Sequence, residues 1–241
     1  MGRALDDAVL DLRFNEPALG TWLFTSRGDA ERVGAYDARL QKDDWFAREV
    51  VGFIKRTLWR LDVSARSLVT LVEPGSCFAG FLADLVFAAD RSYMLDESEA
   101  SLTLSGLNFE RLPTYAGMSR LATRFIGDPA SLHRAESLIG ETLTARRALD
   151  AELVTFAPDD IDWDDEIRLL LEERASFSPD ALTGMEANLR FPGPETMETK
   201  IFSRLSAWQN WIFQRPNAVG QSGALPLYGS GQRPAFDKTR T

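Results

Sequence analysis

The sequence predicts an α/β fold, and three observations carry that expectation. Ser67–Val72 is a run of six mostly apolar, β-prone residues, too short for a typical helix. Glu73, Pro74 and Gly75 break it, and Phe78, Leu82, Leu85, Val86 and Ala89 then fall at helical spacing, so a helix is expected from Phe78 onward. Further short apolar runs alternate with amphipathic stretches along the 241 residues, and a hydrophobic content of 44% suffices for a sizeable core.

In chain order, residues 3–14 read as a short amphipathic helix and 19–25 as a strand ending in the turn Ser26–Asp29. Asp43 or Asp44 can cap the next helix, in which Trp45, Phe46, Val50, Phe53, Ile54, Leu58 and Leu61 keep helical period. After the central strand and helix, 91–95 and 101–105 read as strands around an acidic turn, and 164–175 and 179–190 as helices. A last helix spans 195–213, with Pro194 as its first residue. Met197, Ile201, Phe202, Leu205, Trp208, Trp211, Ile212 and Phe213 cover too much of its circumference for a surface helix, so it is expected to be buried centrally or to meet another subunit or domain. Residues 1–175 are therefore read as the α/β core and 176–241 as a C-terminal helical and tail region.

Several function classes are disfavoured. A net charge of −9 argues against a nucleic-acid partner. Cys77 stands alone, which excludes an intrachain disulfide and a cysteine-rich metal site. No apolar run reaches the length of a membrane span and the start is no signal peptide, so no membrane partner and a cytoplasmic location are expected. His133, the only histidine, lies on a solvated helix, which argues against a Ser-His-Asp hydrolase and a histidine-rich metal centre. The turn GSCFAG matches neither G-x-S-x-G nor G-x-G-x-x-G. The acidic stretch DDIDWDDE suits a helix N-terminus, and no metal is expected there.

A strand running into a helix leaves backbone N–H groups unpaired at the helix start, where the dipole adds positive charge. Such a corner can hold a phosphate, a carboxylate or a developing oxyanion. It can equally be an ordinary βα corner of the core, and chemistry alone leaves both readings open.

The corner resembles the central element of the crotonase (enoyl-CoA hydratase/isomerase) superfamily, where a glycine-rich turn enters a helix ending in a pattern like ELALACD. Here that helix reads ADLVFAAD, ending at Asp90. SRGDAERV loosely resembles the loop that supplies the first oxyanion donor, which singles out Gly28. The stretch 106–126 keeps Pro113, Gly117, Arg120 and Leu121 in step with a further family segment, and 140–158 resembles its helix-and-strand unit. Gly231–Phe236 echoes its C-terminal ending.

The resemblance implies a crotonase-like core of repeated ββα units, whose opening hairpin strands are not recognised before residue 19. It implies that Gly80-Phe81-Leu82 is the oxyanion turn, with Phe81 giving the N–H and Gly80 beside it. Asp84 falls on one of the two acid/base glutamate positions of a hydratase, and Gly106 on the other.

The longer stretches LVEPGSCFAG, AADRSYML, SPDALTGMEANLRFPGPETMETKIF and AWQNWIFQRPNAVG are similar to the C-terminal half of a lyase family within the superfamily. Its members have two crotonase-like regions and open the ring of 2,3-epoxybenzoyl-CoA with water, releasing formate. This implies an acyl-CoA substrate, no cofactor beyond the coenzyme A it carries, and either a homodimer or an N-terminal crotonase-like half as partner. The alternative is a non-catalytic crotonase-like assembly domain, suggested by Gly106, by Phe81 and Leu82 in place of glycines, and by the aromatic helix 195–213.

Overall fold

A computed structural model describes residues 1–191, 193 and 195–239. Helix α1 (Gly2–Asn15) leads to strand β1 (Thr21–Phe24). Asp29 caps α2 (Ala30–Leu40), accepting from the Arg32 N–H at 3.1 Å. Asp44 caps α3 (Trp45–Asp62) through the Ala47 N–H at 2.8 Å. Strand β2 (Ser67–Val72) follows, with the bounds its composition predicts.

Strand β2 is the middle of a three-stranded parallel sheet, flanked by β1 and by a strand at Arg91–Met94. All six of its residues are buried, as a parallel strand covered on both faces must be. The period of two separates its sides. Leu68 and Val72 join the main core with Leu58, Leu61 and Val86, while Val69 and Leu71 pack with Tyr93, Trp163 and Leu170.

The helix expected from Phe78 begins later. Phe78–Ala79 is a short strand, β3, paired in parallel with Leu102–Thr103. Gly80–Leu82 forms one 3₁₀ turn, and α4 (Ala83–Ala88) completes the element. The apolar spacing fits both forms, but Gly80 has φ of +52°, a left-handed conformation that ends the strand and starts the turn.

Then come β4 (Arg91–Met94) and β5 (Leu102–Thr103). The second is shorter than the predicted 101–105, because Ser105 caps a 3₁₀ turn at Gly106–Asn108. Helices α5 (Arg120–Arg124) and α6 (Pro129–Ser137) precede β6 (Thr142–Leu143), which pairs antiparallel with β5 to close a second small sheet in the order β3-β5-β6. Helix α7 (Ala145–Asp150) follows, and the strand part of the helix-and-strand unit expected over 140–158 is an isolated bridge between Tyr93 and Phe156.

Helix α8 (Trp163–Ser176) carries three acidic residues in its first turn. In the loop before it, Asp159 accepts from the N–H groups of Ile161 and Asp162 at 3.1 and 3.0 Å, the turn-capping role its composition suggests.

Helix α9 (Pro179–Arg190) is tied to the start of the central strand. Arg190 pairs with Asp90 at 2.7 Å, Asp90 accepts from the Leu68 N–H at 2.7 Å, and Ser67 Oγ donates to Glu186 at 2.5 Å. Residues 197–212 form one helical run: α10 (Met197–Thr199), a π segment (Lys200–Leu205) and α11 (Ser206–Ile212). Pro194, expected to open it, lies outside the described residues. No residue of this run is buried: Trp208 lies against Gly184 of α9, while Met197 and Phe202 are 75% and 76% exposed.

Short helices α12 (Pro216–Val219) and α13 (Ala224–Leu227) precede the extended end, which Asn217 pins through the Asp237 backbone and Asp180. Among the described residues no helix is long and apolar enough to cross a membrane.

Candidate active site: a corner occupied by its own carboxylate

The turn after β2 is stitched to the turn after β1. Gly28 N–H donates to Gly75 O at 3.1 Å, and Cys77 N–H to Ser26 Oγ at 3.0 Å. The Gly28 amide is thus engaged within the loop pair. A Cβ on Gly28 would stand 3.2 Å from the buried Cys77 sulfur, so the two turns approach closely at this glycine.

The Phe81 N–H is one of the donors a helix start leaves over. It donates to Asp37 Oδ1 at 2.7 Å, and Gln41 Nε2 donates to Asp37 Oδ2 at 2.8 Å. Gly80 makes this contact possible, because a Cβ there would run into the Asp37 carboxylate. The corner therefore holds a carboxylate, and that carboxylate belongs to the chain.

Beside it is a cavity of about 410 Å³, with Ala30, Gly34, Asp37, Gln41, Gly80 and Gly106 in its wall. Gly106 brings no side chain, and a Cβ on it would stand 3.2 Å from Gln41 Oε1.

Asp84 does not reach this cavity. It is fully buried beneath the turn, where Asn108 Nδ2 donates to its Oδ2 at 2.9 Å and to Gly80 O at 2.9 Å. The Asn108 oxygen accepts from the Ser105 N–H at 2.8 Å, so this one amide clips the Gly80 turn to the Gly106 turn. The other Asp84 oxygen has no hydrogen bond among the described residues and lies 3.9 Å from Arg120 Nη1. Arg120 forks onto both oxygens of Asp62, at 3.0 and 2.9 Å, and also donates to Leu112 O at 3.2 Å.

Two carboxylates thus share one buried guanidinium. Burial pushes the Asp84 carboxyl up to about 7, against the opposing pull of Arg120 and Asn108. Asp84 is thus a buried carboxyl beneath the corner and does not line the cavity.

His133 is on the exposed face of α6, hydrogen-bonded to Glu136 at 3.0 Å. Among the described residues no group of three or more His, Cys, Asp or Glu side chains could hold a metal ion.

Sequence reasoning missed Asp37, Gln41 and Asn108. A signal existed for Asp37: on α2 it falls in step with Ala30, Val33 and Leu40, the apolar stripe that packs on the core. A carboxylate on such a stripe requires dedicated partners. Gln41 sits one turn further along, and Asn108 has no comparable signature.

The parallel sheet, the small second sheet and the corner make up a mixed α/β domain whose fold is crotonase-like. Solved structures agree on the fold. An enoyl-CoA hydratase from Geobacillus kaustophilus HTA426 superposes with a TM-score of 0.72 at 18% identity, over 98% of this chain and 86% of that one. One from Bacillus anthracis gives 0.71 at 16% identity, over 98% and 88%. No model of a known protein family matches the chain.

In sequence the chain is similar to benzoyl-CoA-dihydrodiol lyase of Aromatoleum evansii, with 52% identity over 244 residues. That match takes in all of this chain and 44% of the relative, so the chain spans less than half the relative's length.

Proposed function

We propose that this chain is the second crotonase-like region of an aromatic acyl-CoA lyase, acting with a first region to open the ring of 2,3-epoxybenzoyl-CoA with water and release formate. The observation that carries this reading is the 52% identity, sustained along the whole chain, to benzoyl-CoA-dihydrodiol lyase. Within that enzyme the region serves assembly more than chemistry. The amide that would meet a thioester oxygen is held by Asp37, and Gly106 offers no second carboxylate to divide acid and base roles across a water.

The partner surface is the helical run 197–212. Met197, Phe202 and Leu205 stand out from it, and an open depression of about 600 Å³ beside it is walled by Val63, Tyr115, Phe191 and Arg204. Apolar surface grouped in this way marks an interface.

Multi-angle light scattering tests the assembly. The 26.9 kDa chain is expected to run as a dimer or larger, or to shift into a complex when the first region is added. A monomer that stays monomeric beside that region would contradict the reading.

A further inference from the structure

Asp37 is only 2% exposed, yet no ion pair reaches it among the described residues. Its two oxygens are held by one backbone N–H and one side-chain amide, those of Phe81 and Gln41. This is how a protein binds a carboxylate ligand, with neutral donors aimed at each oxygen.

Two glycines of the cavity wall meet side chains of this chain, one of them by overlap. Gly80 lacks a side chain, and the Asp37 carboxylate fills the space its Cβ would take. Gly106 also lacks one, and a Cβ there would stand 3.2 Å from the Gln41 amide oxygen, a close approach rather than an overlap. Both side chains come from adjacent turns of one helix face, four residues apart. At Gly80 the bare glycine admits the Asp37 carboxylate, and Gln41 lies beside it.

We propose that Asp37 is a specificity-determining plug: its carboxylate stands where an acyl oxygen would take the Phe81 N–H, and it excludes thioesters from this cavity. Occupation does this as much as charge. Any carbonyl approaching the Phe81 amide must displace a 2.7 Å hydrogen bond and a buried side chain that Gln41 holds in place. The inference concerns this chain's own cavity, and it holds whether or not the assembled enzyme opens rings.

The test is calorimetric titration of the full 241-residue chain with S-acetyl-pantetheine, a minimal thioester. Wild type is expected to show no measurable binding. Asp37→Ala clears the space and frees the amide, and its affinity is expected to rise at least about tenfold, the effect of one newly available hydrogen bond. Asp37→Asn keeps an oxygen in the same place and is expected to stay closed like wild type.

The plug is refuted if wild type binds the thioester as tightly as Asp37→Ala. It is equally refuted if Asp37→Ala keeps the wild-type circular dichroism and cooperative unfolding yet binds no better. Should Asp37→Ala fail to fold, Asp37→Ser is read by the same criterion. Opening of the cavity by Asp37→Asn to the extent of Asp37→Ala would show that charge alone excludes the ligand, and would overturn occupation.

Discussion

Replacing Arg120 with leucine is expected to remove a large share of the folding stability. Its guanidinium is 3% exposed and is the cation shared by Asp62 and Asp84. Removing it leaves two carboxylates in one dry site, and breaking a buried ion pair from one side costs about 3–5 kcal/mol. A domain of this kind has about 5–15 kcal/mol in total, so the variant should unfold at much lower urea or be recovered largely unfolded. Lysine should restore only part of the loss, because it cannot fork onto Asp62 while also meeting Leu112 O. Asp62→Asn added to Arg120→Leu should recover stability, since the two sites share one interaction. A loss below about 1 kcal/mol for Arg120→Leu, the range of an exposed pair, would mean that the site is not sealed from water.

Asp84→Asn is expected to act in the opposite direction and to depend on pH. The folded-state pKa of Asp84 is about 7, against 3.8 for the free side chain. The folded protein therefore holds the proton more tightly than the unfolded chain does. The stability this contributes is fully present below the unfolded value and is lost as pH rises through the folded one. Between about pH 4 and pH 7 the wild type should lose up to about 1.4 kcal/mol for each unit of pH from this group.

The amide carries no such charge, so the variant's profile should be flatter through that window, and at pH 8 it should be the more stable by roughly 1–3 kcal/mol. The gain is smaller than the full titration because asparagine gives up the attraction to Arg120, 3.9 Å away. Urea unfolding at pH 5, 6.5 and 8 measures both curves. Parallel wild-type and variant curves would show that Asp84 does not hold its proton into the neutral range.

Much of this fold was legible from local pattern. The central strand, the capped helix α3 and the helices near 164–175 and 179–190 lie where composition, caps and periodicity place them, because each depends on contacts close in sequence. The start of the corner helix was not, since Phe78 and Ala79 alternate as well in a strand as in a helix and pair with residues 24 positions later.

The site divided in the same way. Gly80 and Phe81 were singled out by the resemblance, and the structure places both in one 3₁₀ turn. The partner of that turn comes from Asp37, 44 residues upstream of Phe81, and only the conflict between a carboxylate and its apolar stripe betrays it. Asp84 was singled out by the resemblance, and it lies in the first turn of α4. Its burial against Asn108 and Arg120, each from a later segment, was not. The aromatic helix was read as needing cover, and the described structure leaves Met197 and Phe202 open on its surface.

Formate release from 2,3-epoxybenzoyl-CoA shows whether this chain needs a first region to act. The 241-residue chain is mixed with a separately expressed first crotonase-like region, and each is also assayed alone. Little or no formate is expected from either piece, and sustained release from the mixture. Formate released by this chain unaided would contradict this and would place working acid/base chemistry beside an amide that Asp37 holds.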